Sequence, residues 1–291
     1  LHGGILVDWL ADHVLYDEIV VPGVALLEMA CAAALQMQSR ARSMIDSKSL
    51  GVVHMEGFSI VQPVVAANVC LDGDMDAQRQ TQAQIRAQIL IEATSVSCVI
   101  DDDGSTDIYS SGDIIDGNVE DAERERVVHA SGKVSVLPVE STGSLKQTGA
   151  APDWQALSDE AQTARTRCVL TADIDEMYAG FQTSGLSYGP RFRLLRTGYY
   201  SETECICTIS IADTKLQQTH LLPPTMIEVM LQSSAVIAMQ TQHETQRQAQ
   251  VPYAFDDVWL RADAVECLWQ HDSCLCHTQV RQRDDTMTVF D

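Results

Sequence analysis

The sequence predicts an α+β fold in which one arrangement occurs twice along the chain. Residues 23–38 and residues 224–240 would form helices that are nearly uncharged on every side, and each is followed by segments in which polar residues alternate with Val and Ile. A helix that is apolar all round must be enclosed, and alternating strands form a sheet whose apolar face can enclose it. We therefore expect two similar halves, each a sheet wrapped around a central helix.

The two predicted helices share their composition and their start. The segment GVALLEMACAAALQMQ carries one charge and has no β-branched residue after Val24, which favours a helix about 24 Å long. Pro22 directly precedes this helix, where its missing N–H is no loss. The segment PTMIEVMLQSSAVIAMQ repeats the design and opens with Pro224. Each helix is expected to form the centre of one half.

Six segments have the alternation that is typical of strands, three in each half. They are residues 52–65, 84–100 and 126–137 in the first half and residues 191–211, 251–265 and 272–291 in the second. Between the halves the chain is rich in Gly, Ser, Thr, Ala and Gln, which predicts a linker with a short helix near residues 154–164. The expected domains are residues 1–140 and residues 167–291, joined by a linker of residues 141–166.

Length, charge and apolar content limit the classes of function. The chain has 291 residues, of which 45% are hydrophobic and 21% charged, so it can bury a core without help from metals. The net charge of −22 argues against nucleic acid as a partner, because phosphate binding needs a basic face. We find neither a run of about 18 apolar residues nor a signal peptide, so we expect a cytoplasmic protein without a membrane partner.

The nine cysteines have no CxxC spacing, which argues against a disulfide framework and against a zinc ribbon. Cys205 and Cys207, like Cys274 and Cys276, are two residues apart and would share one face of a strand. That spacing suits a reduced core, with a metal site as the minor alternative. We expect neither a metal nor a bound cofactor.

Two polar residues share one face of the second apolar helix. Glu228 and Gln232 are four positions apart, so the Gln amide can hold the carboxyl group in one orientation. A carboxyl group in apolar surroundings favours its protonated form, which makes Glu228 a candidate general acid. The alternative is a partly exposed Glu228 without a chemical role.

His13 lies just before an apolar strand that leads into the first helix. Imidazole is half-ionised near neutral pH and can remove a proton bonded to carbon beside a carbonyl. Gly23 at the helix start would present backbone N–H groups that stabilise a developing oxyanion. Together with a carboxyl acid, these groups describe β-elimination of water. The alternative is that His13 is a structural or surface residue.

The segment GLSYGPRFRLLR joins a glycine-containing turn to a strand. Gly189 and Pro190 predict a tight turn, and Tyr188 before them can point its hydroxyl into a cavity. A basic cluster in this strongly acidic chain would suit a phosphate-bearing partner, and its members are Arg191, Arg193 and Arg196. A plain hairpin entry with solvated arginines is the alternative.

Three motifs, in this order, resemble those of the dehydratase domains of modular polyketide synthases, which have the double hot-dog fold. HVLYDEIVVP, from His13 to Pro22, is similar to the family's HxxxGxxxxP motif. YGPRF, which begins at Tyr188, is similar to its YGPxF turn. EVMLQ, from Glu228 to Gln232, resembles the Dxxx(Q/H) pattern of the second hot-dog helix. HASG and the sequence around the first helix also resemble the family, so the resemblance covers nearly the whole chain.

The resemblance implies a role for each candidate residue. His13 would take the α-proton of the substrate, and Glu228 would protonate the departing β-hydroxyl group. Gln232 would orient Glu228, Tyr188 would supply a supporting hydroxyl, and the Gly23 amide would bind the thioester carbonyl. The product would be an α,β-unsaturated thioester.

The resemblance also implies the partners. The substrate would be a β-hydroxyacyl thioester carried on the phosphopantetheine arm of an acyl carrier protein, with no bound cofactor. The other domains of a polyketide synthase module and a second copy in a homodimer would be further partners. The basic cluster is the expected docking surface for the carrier protein.

The chain departs from the family's motifs at two positions. Asp17 stands where the first motif has glycine, and Glu228 stands where the helix motif has aspartate. These departures leave two alternatives open beside dehydration. One is altered chemistry on the same thioester, either double-bond isomerisation or cyclisation by addition to an enoyl group. The other is a degenerate domain that serves as a non-catalytic scaffold.

Overall fold

The computed structural model describes residues 7–41, 51–65, 96–110, 127–137, 151–211, 221–241, 251–283 and 288–290. The chain divides into two compact units. Unit 1 is drawn from Leu1–Asp46, Val53–Val136 and Val251–Val258, and unit 2 from Ser47–Val52, Leu137–Gln250 and Trp259–Asp291. The domains expected from the sequence follow chain order, whereas unit 1 also contains a strand from late in the chain.

Unit 1 contains a long helix and a five-stranded sheet. Its elements are α1 (Val7–Leu10), β1 (His13–Leu15), β2 (Glu18–Val21), α2 (Gly23–Ala41), β3 (Val52–Ile60), β4 (Val64–Val65), β5 (Val96–Ile100), β6 (Ser105–Ser110) and β7 (Val127–Leu137), with most of β12 (Ala254–Arg261) from later in the chain. The sheet has the order β12, β3, β7, β6, β5. The late strand joins it beside β3, where the Ile60 N–H donates to the Tyr253 carbonyl at 2.7 Å. β1 and β2 form an antiparallel hairpin, and β4 pairs with β2.

The core of unit 1 forms between α2 and the sheet. α2 packs against β5 and β6. The buried apolar side chains include Val24, Leu26, Leu27, Ala30 and Cys31 from the helix and Met55, Phe58, Ile108 and Ala130 from the strands. Burying one large side chain of this kind contributes roughly 1.5–3 kcal/mol, so the helix is held by its apolar surface. This explains why its sequence is almost uncharged.

Unit 2 repeats the plan. Its elements are α3 (Trp154–Arg167), β8 (Leu170–Thr171), α4 (Ile174–Thr183), β9 (Leu186–Tyr188), a 3₁₀ turn (Pro190–Phe192), β10 (Leu195–Tyr200), β11 (Glu204–Ser210), α5 (Pro224–Thr241), α6 (Ala262–Leu268), β13 (Ser273–Arg283) and β14 (Thr288–Phe290). The sheet has the order β14, β13, β11, β10, β8. The central helix α5 packs on β10, β11 and β13. Its buried side chains include Met226, Val229, Val236 and Ile237.

Helix α3 belongs to unit 2 and not to a free linker. Ala164 and Cys168 pack on Ile206 of β11 in one buried cluster. The Arg167 guanidinium also donates to both carboxylate oxygens of the buried Glu204, at 2.5 and 2.8 Å. The helix expected near residues 154–164 is therefore present. Its last turn packs on β11 and forms an ion pair with that strand.

The two apolar helices expected from the sequence are confirmed, as Gly23–Ala41 and Pro224–Thr241. The strand segments are confirmed for residues 52–65 and 126–137 within the described residues, and residues 84–95 lie outside them. Two strand predictions are wrong at their ends. Residues 191–192 lie in the 3₁₀ turn that Pro190 begins, because proline fixes its own φ and lacks an N–H for a ladder. Residues 262–265 lie in α6, where Ala262 and Val265 are buried with helical spacing.

The described cysteines are all free thiols. Burial raises the pKa of Cys31 to about 12, and burial likewise raises the pKa of Cys98 and of Cys274 to about 11. These thiols are therefore protonated at neutral pH and poor nucleophiles. Among the described helices, none is long and apolar enough to cross a bilayer.

Candidate active site

His13 is buried at the start of the β1–β2 hairpin, with 6% of its surface exposed. Its Nδ1 atom lies 2.7 Å from the carbonyl oxygen of Val20 on the neighbouring strand. Because a carbonyl can only accept, Nδ1 carries the proton and the lone pair of the neutral ring is on Nε2. The hairpin thus fixes the tautomer that a histidine base needs.

The hairpin turn explains the departure at Asp17. Tyr16 and Asp17 form the two-residue loop between the paired residues Leu15 and Glu18, and their φ angles are 49° and 68°. Two consecutive positive φ angles define a type I′ turn, which favours glycine, and aspartate tolerates that conformation better than most residues. The Asp17 side chain is exposed. A glycine at this position would therefore meet the same backbone requirement that Asp17 meets.

Gly23 is the first residue of α2, directly after the buried Pro22. The N–H groups of the first helical turn have no partner within the helix, so they can bind an acceptor. The position has little space, since a Cβ atom on Gly23 would lie 2.1 Å from Cδ1 of Ile60. Glycine therefore allows Ile60 to pack directly against the first residue of the helix.

Glu228 lies one turn into α5 with 5% of its surface exposed. The Tyr188 hydroxyl donates to its Oε1 atom at 2.7 Å, and Tyr188 is equally buried. Burial and the neighbouring Glu228 raise the pKa of Tyr188 well above its ordinary value, so the hydroxyl keeps its proton. The acid and the YGP tyrosine that the sequence singled out separately are thus in direct contact.

Gln232 follows one turn later on the same face of α5. Its Oε1 atom accepts a hydrogen bond of 2.9 Å from the Tyr178 hydroxyl, and only 3% of the residue is exposed. Its Nε2 atom is buried and makes no hydrogen bond to the residues that the structure describes. The same amide faces the Tyr188 oxygen, where it lowers the pKa of Tyr188 against the larger effects of burial and Glu228.

Tyr178 was not identified from the sequence. It lies on α4, a helix that begins after the cap Asp173, whose side chain accepts from the Glu176 N–H. The signal was available, since the acidic cap is followed by Met177, Tyr178 and Phe181 with helical spacing. Applying that pattern would have predicted both the helix and its buried face.

Aromatic rings surround the acid side of the site. The ring centroids of Phe181 and Tyr188 lie 5.3 Å apart, those of Tyr188 and Phe192 lie 5.9 Å apart, and those of Tyr178 and Tyr188 lie 6.5 Å apart. Such pairs add about 0.5–1.5 kcal/mol each beyond the burial of their area. The extended backbone of Gly189 then leads into the 3₁₀ turn. The YGP segment is therefore a rigid support for the Tyr188 hydroxyl.

The three arginines of the basic cluster have different surroundings. Arg193 donates from Nε to the Tyr188 carbonyl at 2.8 Å, and its guanidinium lies 5.3 Å from the centroid of the Tyr178 ring. Arg191 is half-buried, and Arg196 is exposed on β10. Arg193 therefore supports the YGP turn, whatever else the cluster does.

The predicted residues divide between the two units. His13, Pro22 and Gly23 belong to unit 1, and Tyr188 and the acid helix belong to unit 2. The described residues contain no group of three or more metal-ligating side chains. Unit 1 therefore supplies the predicted base and the N–H groups at the start of a helix. Unit 2 supplies the predicted acid and the tyrosine that donates to it.

Two family models match the chain. The one described as the polyketide synthase dehydratase domain matches residues 6–91, and the one described as the polyketide synthase dehydratase N-terminal domain matches residues 156–291. The chain belongs to the polyketide synthase dehydratase family, and it has the double hot-dog fold that the sequence predicted.

The relatives are much longer proteins. Polyketide synthase PksN of Bacillus subtilis is 24% identical over 90% of this chain, and a highly reducing polyketide synthase of Aspergillus terreus is 23% identical over 87%. The chain spans only 4% and 9% of their respective lengths.

Solved structures share the fold. The dehydratase domain of RzxB from Pseudomonas fluorescens has a TM-score of 0.63 at 15% identity, covering 100% of this chain and 84% of that one. The dehydratase domain of the CurF module of curacin polyketide synthase has a TM-score of 0.61 at 15% identity, with coverage of 95% and 79%. The H996F variant of the CurK dehydratase has a TM-score of 0.56 at 15% identity, with coverage of 94% and 77%.

Proposed function

We propose that the chain removes water from a β-hydroxyacyl thioester carried by an acyl carrier protein, with His13 as the base and Glu228 as the acid. The observation that carries the proposal is the buried contact between the Tyr188 hydroxyl and the Glu228 carboxyl group. Glu228 is the one charged residue of α5, and it is buried there with a dedicated hydrogen-bond donor. The chain also belongs to the dehydratase family, which supports the same chemistry.

His13 is suited to the first step. Its Nδ1 atom donates to Val20, so Nε2 can accept the α-proton of the substrate. As the proton leaves, negative charge develops on the thioester oxygen, and the Gly23 N–H at the start of α2 would donate to that oxygen. The α-carbon and its electron pair are then ready to form the double bond.

Glu228 is suited to the second step. Its carboxyl group would donate a proton to the β-oxygen as the C–O bond breaks, so that water departs and the α,β double bond forms. The Tyr188 hydroxyl stabilises the carboxylate that remains, because a hydrogen bond to a charged acceptor is stronger than one to a neutral acceptor. For the next turnover, the proton taken by His13 returns to Glu228 through solvent.

The longer side chain at residue 228 does not remove the acid. Glutamate has one methylene more than the aspartate of the family motif, and the Tyr188 hydroxyl meets its Oε1 at a normal distance. Two variants of the CurK dehydratase, one with an aspartate replaced and one with a histidine replaced, are inactive, which supports these roles by analogy.

The test is a carrier-bound β-hydroxyacyl thioester followed by mass. We expect the parent chain to release water, and we expect the reaction to disappear in His13→Ala and in Glu228→Gln. Retained mass with a shifted double bond or a new ring would support the altered chemistry instead. A parent chain that leaves every carrier-bound substrate unchanged would support the scaffold alternative.

We also propose that the basic cluster docks the carrier protein and that the other domains of a synthase are its neighbours. The exposed Arg196 in a chain of net charge −22 supports this, since an anionic partner finds few basic surfaces here. Arg196→Glu is expected to raise KM for the carrier-bound substrate and to leave turnover of a pantetheine thioester unchanged. An equal effect on both substrates would contradict the docking role.

A further inference from the structure

Tyr178 lies outside every motif of the family resemblance, yet its hydroxyl reaches the helix that carries the acid. It contacts Gln232 Oε1 at 2.9 Å across 54 residues of sequence. Both residues are buried. Gln232 lies one helical turn from Glu228. A role of this contact in catalysis therefore rests on the proposed function of Glu228 as the acid.

The direction of this hydrogen bond is fixed by the surroundings of Tyr178. Burial raises the pKa of the Tyr178 hydroxyl, so it stays a donor at neutral pH. The two acceptors near the hydroxyl are Gln232 Oε1 and, at the longer distance of 3.2 Å, the Phe192 carbonyl. Gln232 Oε1 is the nearer of the two, so the amide presents its carbonyl oxygen to Tyr178.

An amide that points its oxygen at Tyr178 points its NH₂ group the other way. That NH₂ group is buried and faces the Tyr188 hydroxyl oxygen, but it makes no hydrogen bond of normal geometry to the described residues. A buried donor without an acceptor is unfavourable and rare in folded proteins. A bound molecule or the acid itself can supply the acceptor, so the orientation matters for what happens beside Glu228.

Tyr178 is itself held rigidly. The Arg193 guanidinium lies over its ring at 5.3 Å, and the rings of Phe181 and Tyr188 lie 6.2 and 6.5 Å away. Arg193 also donates to the Tyr188 carbonyl, so one side chain links the two tyrosines. A rigid donor can hold an amide in one orientation because moving it would disturb the whole cluster.

We propose that Tyr178 is a positioning residue: its hydroxyl fixes the Gln232 amide so that the NH₂ group is presented beside Glu228, where it donates to the departing β-oxygen or to the carboxylate that remains. Without this hydroxyl the amide can turn over. The carbonyl oxygen would then face Glu228 and favour its protonated form, which hinders release of the proton.

Tyr178→Phe tests this, because it removes the hydroxyl and keeps the ring. We expect kcat for the carrier-bound substrate to fall roughly 3- to 10-fold, with KM changed less than about 2-fold. The limb of the pH profile that reports loss of the acid's proton is expected to move to higher pH. In a Gln232→Met background, Tyr178→Phe is expected to change kcat less than about 2-fold, because there is no amide left to orient.

Met177→Leu is the matched control, since Met177 is buried on the same helix and takes no part in the aromatic cluster or in the hydrogen bond to Gln232. It is expected to have the same effect in both backgrounds, and thermal unfolding of every variant confirms that each is folded. An equal loss for Tyr178→Phe with Gln232 and with Met at that position would overturn the inference while leaving the proposed function intact. A parent chain without turnover would overturn both.

Discussion

Replacing Asp17 by Gly and, separately, by Ala tests the origin of the departure in the first motif. Asp17 has a φ of 68° and an exposed side chain, so either change alters the backbone preference and removes little packing. Glycine adopts this conformation freely, whereas a residue with a Cβ is strained there by about 1–2 kcal/mol. We expect Asp17→Gly to be more stable than Asp17→Ala by about 1 kcal/mol, with the parent between them.

Urea unfolding followed by circular dichroism measures this difference as a shift of the midpoint at constant slope. Asp102 is the matched control, because it is also an exposed aspartate in a hairpin turn but does not have a positive φ. There, the Gly variant is expected to be no more stable than the Ala variant. Equal stability of the two Asp17 variants would refute the backbone explanation. Asp17→Gly is also expected to retain the parent's turnover, since nothing in the explanation gives the carboxylate a chemical role.

Three further predictions concern single contacts. Tyr188→Phe removes the hydrogen bond to the predicted acid Glu228, and a hydrogen bond to a charged group contributes about 1.5–3 kcal/mol. We therefore expect kcat to fall roughly 10- to 100-fold. An unchanged kcat would contradict a catalytic role for this hydrogen bond. Gly23→Ala is expected to lower the midpoint of thermal unfolding, because the new Cβ atom would meet Cδ1 of Ile60. Adding Ile60→Val removes that Cδ1 atom and is expected to restore part of the midpoint. No recovery in the double variant would contradict the close contact between residues 23 and 60. The hydrogen bonds from Arg167 hold the pKa of Glu204 below its ordinary value of 4.5, so their stabilisation is full above about pH 4.5 and is lost as the pH falls further. Glu204→Gln is therefore expected to flatten the fall of the thermal midpoint in acid, and an unchanged pH dependence would argue against the linkage.

The fold was largely predictable because each half is organised by one strong signal. An apolar helix can only be central, and the strands that follow must enclose it, so residues 23–38 and 224–240 determined the plan. The acid side of the site was predictable for a local reason, since Glu228 and Gln232 share a helix face through their spacing. Their burial and their contacts with tyrosines required the structure.

The parts that were missed depend on contacts between distant segments or on backbone angles. Nothing in the local sequence indicates that Tyr178 would reach a residue 54 positions later. The sequence shows Asp17 in place of a glycine, but only the backbone reveals that the position has a positive φ that aspartate can adopt. The end of β12 was mistaken for further strand because Ala262 and Val265 also fit an apolar run, and their helical spacing was too short to recognise.

The central claim is that His13 and Glu228 carry out the dehydration, although the chain also buries other histidine and glutamate side chains. Water loss from a carrier-bound β-hydroxyacyl thioester, compared across two matched pairs of variants, tests it most directly. His129 is buried like His13 and also directs Nδ1 at a backbone carbonyl, and Glu28 is buried on the other central helix like Glu228. We predict that His13→Ala and Glu228→Gln abolish water loss, whereas folded His129→Ala and Glu28→Gln chains retain it. Water loss that persists in His13→Ala or in Glu228→Gln would contradict the account.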